Sequence, residues 1–270
     1  MSMAGVTKIL LYVALAYLAI VAVAYFAQRK FTYFPNASRV APAAAGLEGF
    51  HEVELPTPDG QRVIAWSTPA PPGAPTILYF HGNGGGLANR AGRFGRYQQA
   101  GFGLFVMSYR GYSGSTDSPT EAHNIADARL AYDYLIKQRL KPSDIFLYGE
   151  SLGSGVAVQL AATVPVAGVI LDAPYTSIVE VGAKAYPILP LNWLMVDRYE
   201  SDKHIASINA PLLILHGARD QVIPLEMGQR MHALAREPKK IVVFPEGRHI
   251  DLDSYGGVDV VKAWIGEVRR

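Results

Sequence analysis

The chain has 270 residues and no cysteine; half of its residues are hydrophobic, and 25 basic side chains face 23 acidic ones. Such a length can bury a large core, so one domain of about 240 residues plus a terminal extension fits better than two small domains, and general disorder is excluded. A near-neutral charge without runs of one sign argues against a nucleic-acid partner, and the lack of thiols excludes disulfides, thiolate metal sites and a cysteine nucleophile.

Ile9 to Gln28 carries no charge and is flanked by Lys8 and by Arg29-Lys30. Twenty helical residues reach about 30 Å, the thickness of a bilayer core. A transmembrane anchor over residues 1–30 is expected. A cleaved signal peptide, with Ala22-Val23-Ala24 as its site, and a buried core helix are the competing readings. The basic residues Arg29, Lys30 and Arg39 behind the segment favour the cytoplasmic face for the rest of the chain, whereas a cleaved signal would place it on the opposite side. Phe31-Thr32-Tyr33-Phe34-Pro35 supplies interfacial aromatics, residues 31–49 read as a juxtamembrane linker, and 50–270 as the catalytic domain.

Glu52 to Pro56 and Arg62 to Ser67 read as a hairpin across Pro58-Asp59-Gly60. Apolar strands then alternate with helices. Strands are expected at 76–80, 103–108, 144–148, 169–171, 212–215 and 240–244, and helices at 87–100, 120–139, from 152, at 225–235 and at 258–268. This pattern predicts a mostly parallel sheet covered on both faces by helices, opened by an antiparallel hairpin, with function at the carboxyl ends of the strands. Arg90, Arg93 and Arg96, three residues apart on the helix after the glycine loop, read as a solvated face, with anionic lipid headgroups as the other reading.

Gly149-Glu150-Ser151-Leu152-Gly153 has the form G-x-S-x-G and falls where a strand turns into a helix. A turn that sharp requires small residues on either side of the serine and leaves the serine strained and exposed, as a nucleophile. A serine hydroxyl needs a base within reach, and the base needs an orienting acid. Of seven histidines, His81 and His216 end strands as structural residues, whereas His249 stands in the loop after the last strand. Asp220 leaves the preceding strand in the same way, and the order Ser151, Asp220, His249 suits this architecture. Asp172, which also ends a strand, is the fallback acid. The oxyanion is expected on the backbone N–H groups of Leu152 and of Asn83, the latter in the loop His81-Gly82-Asn83-Gly84-Gly85-Gly86. A phosphate cradle is the weaker reading of that loop, since G-x-G-x-x-G fails at Leu87.

These motifs, with Ser108-Tyr109-Arg110-Gly111-Tyr112-Ser113-Gly114, Asp172-Ala173-Pro174-Tyr175 and His216-Gly217-Ala218-Arg219-Asp220, resemble the α/β-hydrolase superfamily, and within it the membrane-anchored ABHD-type serine hydrolases. The resemblance implies the α/β-hydrolase fold, a Ser-Asp-His triad and a structural part for Arg110 and Tyr112. No long lid interrupts Ala173 to Ala210, and Ile188 to Met195 is either a small apolar cap or a core helix. The expected activity is cleavage of carboxylic esters or thioesters with an apolar acyl part, lipid-like substrates included, without a metal or organic cofactor. A peptidase or amidase with the same triad, and a catalytically silent, membrane-tethered binding module, are the alternatives.

Overall fold

The computed structural model describes residues 2–270. The expected hairpin pairs β1 (His51–Pro56) with β2 (Arg62–Thr68). Six further strands come after it: β3 (Thr76–Phe80), β4 (Gly103–Met107), β5 (Ile145–Glu150), β6 (Gly168–Asp172), β7 (Leu212–Gly217) and β8 (Lys239–Phe244). The eight form one sheet in the order β8-β7-β6-β5-β3-β4-β2-β1, with β3 to β8 parallel and β2 antiparallel to β4. From β3 the chain steps first to β4 on one side and then to β5 on the other. The crevice at such a reversal is where open α/β sheets place their sites, and the loops leaving β3 and β5 carry Asn83 and Ser151.

The strands alternate strictly between two cores. Leu78, Phe80, Phe105 and Leu147 point to one face, where Tyr132 and Leu135 of α3 (Glu121–Lys137), Val156 and Leu160 of α4 (Leu152–Ala161) and Met231 of α8 (Leu225–Leu234) cover them. Ile77, Tyr79, Leu104, Phe146 and Tyr148 point to the other, under Phe94 and Tyr97 of α2 (Ala91–Gln99) and Val261 and Trp264 of α9 (Gly257–Val268). Both faces are therefore buried, which is why these strands read as unbroken apolar runs.

α1 (Met3–Thr32) is long and apolar enough to cross a membrane, with a mean hydropathy of 2.5 over its best window, and the domain buries none of that window. The stretch 31–49, expected as a linker, is stitched to the domain. Phe34 and Pro35 pair in parallel with Gly84 and Gly85, the Ser113 N–H donates to the Asn36 carbonyl, and Tyr33 and Leu47 are buried. Sparse periodicity concealed this, because each contact is made by a single residue rather than by a repeating face. Between β6 and β7 lie α5 (Ile178–Ala185), α6 (Leu191–Leu194) and α7 (Ser201–His204). The Ile188 to Met195 cluster is no core helix: Trp193 at its centre is 90 % exposed.

Candidate active site

Ser151 follows β5 with φ 51° and ψ −116°, a conformation a non-glycine residue holds only where its surroundings force it. Its N–H donates to the Asp172 carbonyl at 2.9 Å and its carbonyl accepts from Ser154 N–H at 2.8 Å, so the strained residue is fixed from both sides. The small neighbours are needed: a Cβ on Gly153 would lie 2.6 Å from the Phe80 carbonyl carbon, and one on Gly149 would lie 2.5 Å from the Ser154 Cα.

Ser151 Oγ stands 2.8 Å from His249 Nε2, and His249 Nδ1 stands 2.8 Å from Asp220 Oδ2. An ionised carboxylate only accepts, so Nδ1 carries the proton and Nε2 is left to accept from the serine hydroxyl. The other Asp220 oxygen takes the N–H groups of Val222 and Ile223 at 2.8 and 2.9 Å. Burial alone would raise the Asp220 pKa, but the His249 hydrogen bond and charge, with those two N–H groups, outweigh it and hold the carboxyl below its ordinary value. The three sequence-predicted side chains thus form one hydrogen-bonded chain. Asp172, the fallback acid, is not part of it; its carboxylate takes Arg93 Nη1 at 2.8 Å and the Tyr148 hydroxyl at 2.9 Å.

The loop after β3 passes directly over the serine, since a Cβ on Gly82 would lie 3.5 Å from the Ser151 Cβ. His81 Nδ1 lies 2.6 Å from the Gly82 carbonyl and donates to it. Because the peptide is planar and trans, pinning that carbonyl aims the Asn83 N–H the opposite way. Burial pushes the His81 imidazole down to about 3, which keeps it neutral in this part. The hydroxyls of Tyr109 and Tyr112 donate to the carbonyls of His81 and Asn83 at 2.7 and 2.6 Å, and the Asn83 carboxamide donates to the Thr32 carbonyl at the end of α1. Outside the helix and strand ladders, no acceptor among the described residues takes the N–H of Asn83 or of Leu152. Arg110, expected to be structural, is bound by Asp127, Asp59 and Asp117.

Sequence reasoning missed the ion network behind the elbow. Arg90 and Arg93 are not a solvated face. Arg90 binds both carboxylate oxygens of Glu150 and the Gly84 carbonyl; Arg93 binds Glu150, Asp172 and Asp253; only Arg96 is half exposed, on Asp253. Glu150 also takes the Gly82 N–H and the Tyr79 hydroxyl. The network therefore ties the nucleophile turn to the loop above it. Burial works against a charged Glu150, yet Arg90 and Arg93 hold its carboxyl well below the usual range, while burial pushes Asp172 up to about 6 against the pull of Arg93. The available signal was Glu150 itself, a carboxylate between two buried positions that demands a cation.

One group of potential metal ligands, Asp59, Asp117 and His123, lies elsewhere, and Arg110 already bonds both of its carboxylates. Two surface depressions, lined by residues such as Thr163 and Asn209 or Pro71 and Gln138, open beyond the amino ends of the strands, away from Ser151.

A family model described as the alpha/beta hydrolase fold matches residues 75–192. The chain is 38 % identical over 246 residues to the uncharacterised protein Rv2307c of Mycobacterium tuberculosis, covering 89 % of this chain and 88 % of that one. It is 30 % identical to the alpha/beta hydrolase domain-containing protein WAV2 of Arabidopsis thaliana, over 85 % of this chain and 83 % of that one. It is also 30 % identical to the lysophosphatidylserine lipase ABHD12 of Danio rerio, over 77 % of this chain and 64 % of that one. Among solved structures, an esterase of Pyrococcus furiosus superposes with a TM-score of 0.65 at 18 % identity, covering 87 % of this chain and 97 % of that one, a likeness of fold. With this sheet order, and a nucleophile-type turn at its reversal point, the chain belongs to the α/β-hydrolase superfamily and within it resembles the ABHD-type hydrolases.

Proposed function

We propose that the protein is a membrane-anchored serine hydrolase that cleaves carboxylic esters or thioesters of amphipathic acyl substrates. The observation that carries the reading is the unbroken chain Ser151–His249–Asp220, each link 2.8 Å long, beneath a loop whose carbonyls are held by other side chains. His249 Nε2 takes the serine proton as Oγ bonds to the carbonyl carbon, and Asp220 keeps the imidazole in the accepting tautomer. The negative charge that develops on the carbonyl oxygen meets the N–H groups of Leu152 and Asn83. When the carbon–oxygen or carbon–sulfur bond breaks, the imidazolium returns the proton to the departing alcohol or thiol. Water then repeats the sequence on the acyl-serine and releases the acid.

Membrane anchoring rests on α1 and its unburied apolar surface. The basic residues just after its apolar run favour the cytoplasmic face for the domain, which protease protection in intact cells tests. The acyl preference is supported by the likeness to a relative named as a lysophosphatidylserine lipase. Labelling with a fluorophosphonate probe tests the chemistry. Ser151→Ala should lose the label and ester turnover while keeping the fold; turnover within tenfold of the parent would sink the nucleophile assignment.

A further inference from the structure

The segment Tyr186-Pro187-Ile188-Leu189-Pro190-Leu191-Asn192-Trp193-Leu194-Met195-Val196 contains no charge and is bracketed by Lys184 and by Asp197-Arg198. Four of its large side chains face outward: Tyr186 is 51 %, Ile188 70 %, Trp193 90 % and Val196 53 % exposed. Exposure on this scale, in one short segment, asks what covers it.

The segment does not stand free. The Tyr17 hydroxyl donates to the Ile188 carbonyl at 2.8 Å; Gln28 donates to the Leu194 carbonyl at 3.2 Å and accepts from the Val196 N–H at 2.7 Å; and Arg29 pairs with Asp197 at 3.0 Å. Tyr17 and Gln28 are eleven residues apart on α1, about 16 Å along its axis, so the segment lies beside the carboxyl half of that helix. A leaflet is about half of a 30 Å hydrocarbon core. Whatever surrounds that half of α1 also surrounds the segment.

Its backbone suits such a medium. Hydrocarbon offers no partner for a stray N–H or C=O. Pro187 and Pro190 have no N–H to satisfy, and the N–H groups of Tyr186, Leu189, Leu191, Trp193, Leu194 and Met195 donate to carbonyls of this segment or of α5. Among the described residues this leaves Ile188 and Asn192 as the segment's open donors, apart from Val196, which α1 takes. The carbonyls of Ile188 and Leu194 are taken by α1.

Resting on the anchored-hydrolase reading above, we infer that Tyr186–Val196 is a membrane-seated cap. It lies in the leaflet beside the carboxyl half of α1, and the carboxyl edge of the sheet, with Ser151, faces the bilayer. The connection to the site is short, because Thr32 at the end of α1 accepts from Asn83 and Phe34 pairs with Gly84. This placement sets the substrate class. It is an acyl ester whose chain stays in the leaflet while its ester group, near the headgroup level, is presented to the loop over Ser151.

The protein carries its own depth gauge. Its other tryptophans, Trp66 and Trp264, are 1 % and 4 % exposed in the core, so Trp193 is the one that lipid can touch. The full-length chain is reconstituted in phosphatidylcholine vesicles with and without bromine on the acyl chains. Brominated lipid should quench roughly one third of the tryptophan emission, the share of one residue in three, and Trp193→Phe should abolish the quenching. Trp193→Ser with Ile188→Asn should slow turnover of a vesicle-embedded acyl ester at least fivefold and leave a soluble acetyl ester untouched. A chain that resists carbonate extraction yet shows no bromine quenching overturns the cap proposal alone, including the case in which cross-linking reveals a second copy over Trp193. A chain released by carbonate overturns the anchor reading, and the cap with it. Loss of soluble-ester turnover in the parent would instead strike the hydrolase reading.

Discussion

Replacing Gly153 by alanine sets two effects of known sign against each other. In a helix interior alanine is favoured over glycine by about 1 kcal/mol, an upper bound for Gly153 in the first turn of α4, and Gly153 has no positive φ, so the backbone raises no objection. Space does. The new Cβ would lie 2.6 Å from the Phe80 carbonyl carbon and 2.9 Å from the His81 carbonyl oxygen, where ordinary contact begins at 3.4 Å. The Phe80 carbonyl oxygen would be nearer still, so about 1.3 Å must be opened between α4 and the end of β3, a strand held on both sides by β4 and β5. Overpacking of this kind costs about 1–3 kcal/mol, more than the helix gains, and it moves the loop bearing Asn83. A misplacement near 1 Å can cost about 10²-fold in rate. The expected result is a net loss of about 1–2 kcal/mol in urea denaturation and a fall in short-ester turnover of about 10- to 100-fold. Gly266→Ala is the control, because no atom lies within 4 Å of its Cβ in α9; it should gain up to about 1 kcal/mol with unchanged turnover. If Gly153→Ala behaves like Gly266→Ala, the close approach of elbow and strand is not what demands glycine there.

Asp220→Asn should lower turnover by about 10⁴ through the wrong imidazole tautomer, whereas Asp172→Asn should stay within about tenfold; the reverse order in steady-state assays hands the orienting part to Asp172. Glu150→Gln removes the carboxylate that pairs with the buried Arg90 and should cost about 3–5 kcal/mol, so an unfolding midpoint close to the parent's would mean that the network is incidental. Stability should fall on acidification. His81 is pushed down by burial from 6.5 to about 3, so its contribution is complete above pH 6.5 and is lost as the pH falls toward 3, a swing of roughly 5 kcal/mol. His216, also pushed down by burial, acts in the same direction. Asp172, raised to about 6, acts in the opposite direction and gains stability as the pH falls from 6 to 3.8. Denaturation at pH 7, 6 and 5 should show a declining midpoint, steeper in Asp172→Asn; a flat profile in both proteins counts against the neutral buried imidazoles.

What the sequence disclosed was what repeats or what chemistry constrains locally. The parallel strands announced themselves as apolar runs, and β5 was legible together with its turn because Gly149 and Gly153 bracket the serine. His249 and Asp220 were found because each comes after a strand end, and the sheet brings strand ends together. Arg90 and Arg93 were misjudged because a three-residue spacing on a helix looks the same whether the face meets water or a carboxylate contributed by a strand some sixty residues on. The segment 31–49 was misjudged for a related reason: Tyr33 finds Asp197 and Tyr199, partners that no local pattern can name. Between a cap and a core helix the composition of Ile188 to Met195 was neutral, since an apolar surface suits lipid and protein interior alike.

The bond between Tyr33 and Tyr199 joins residues 166 positions apart, and that separation is also a waiting time. The apolar helix leaves the ribosome well before the cap, and Arg29 and Tyr33 have no partner until Asp197 and Tyr199 have been made. At about 5–20 residues per second the delay is roughly 10–30 s. During that interval the Tyr33 hydroxyl and Arg29 have only water or headgroups to bond. The seam between α1 and the cap thus closes only on the arrival of a residue far down the chain, whereas the loop over Ser151 is braced earlier, by Thr32, Tyr109 and Tyr112.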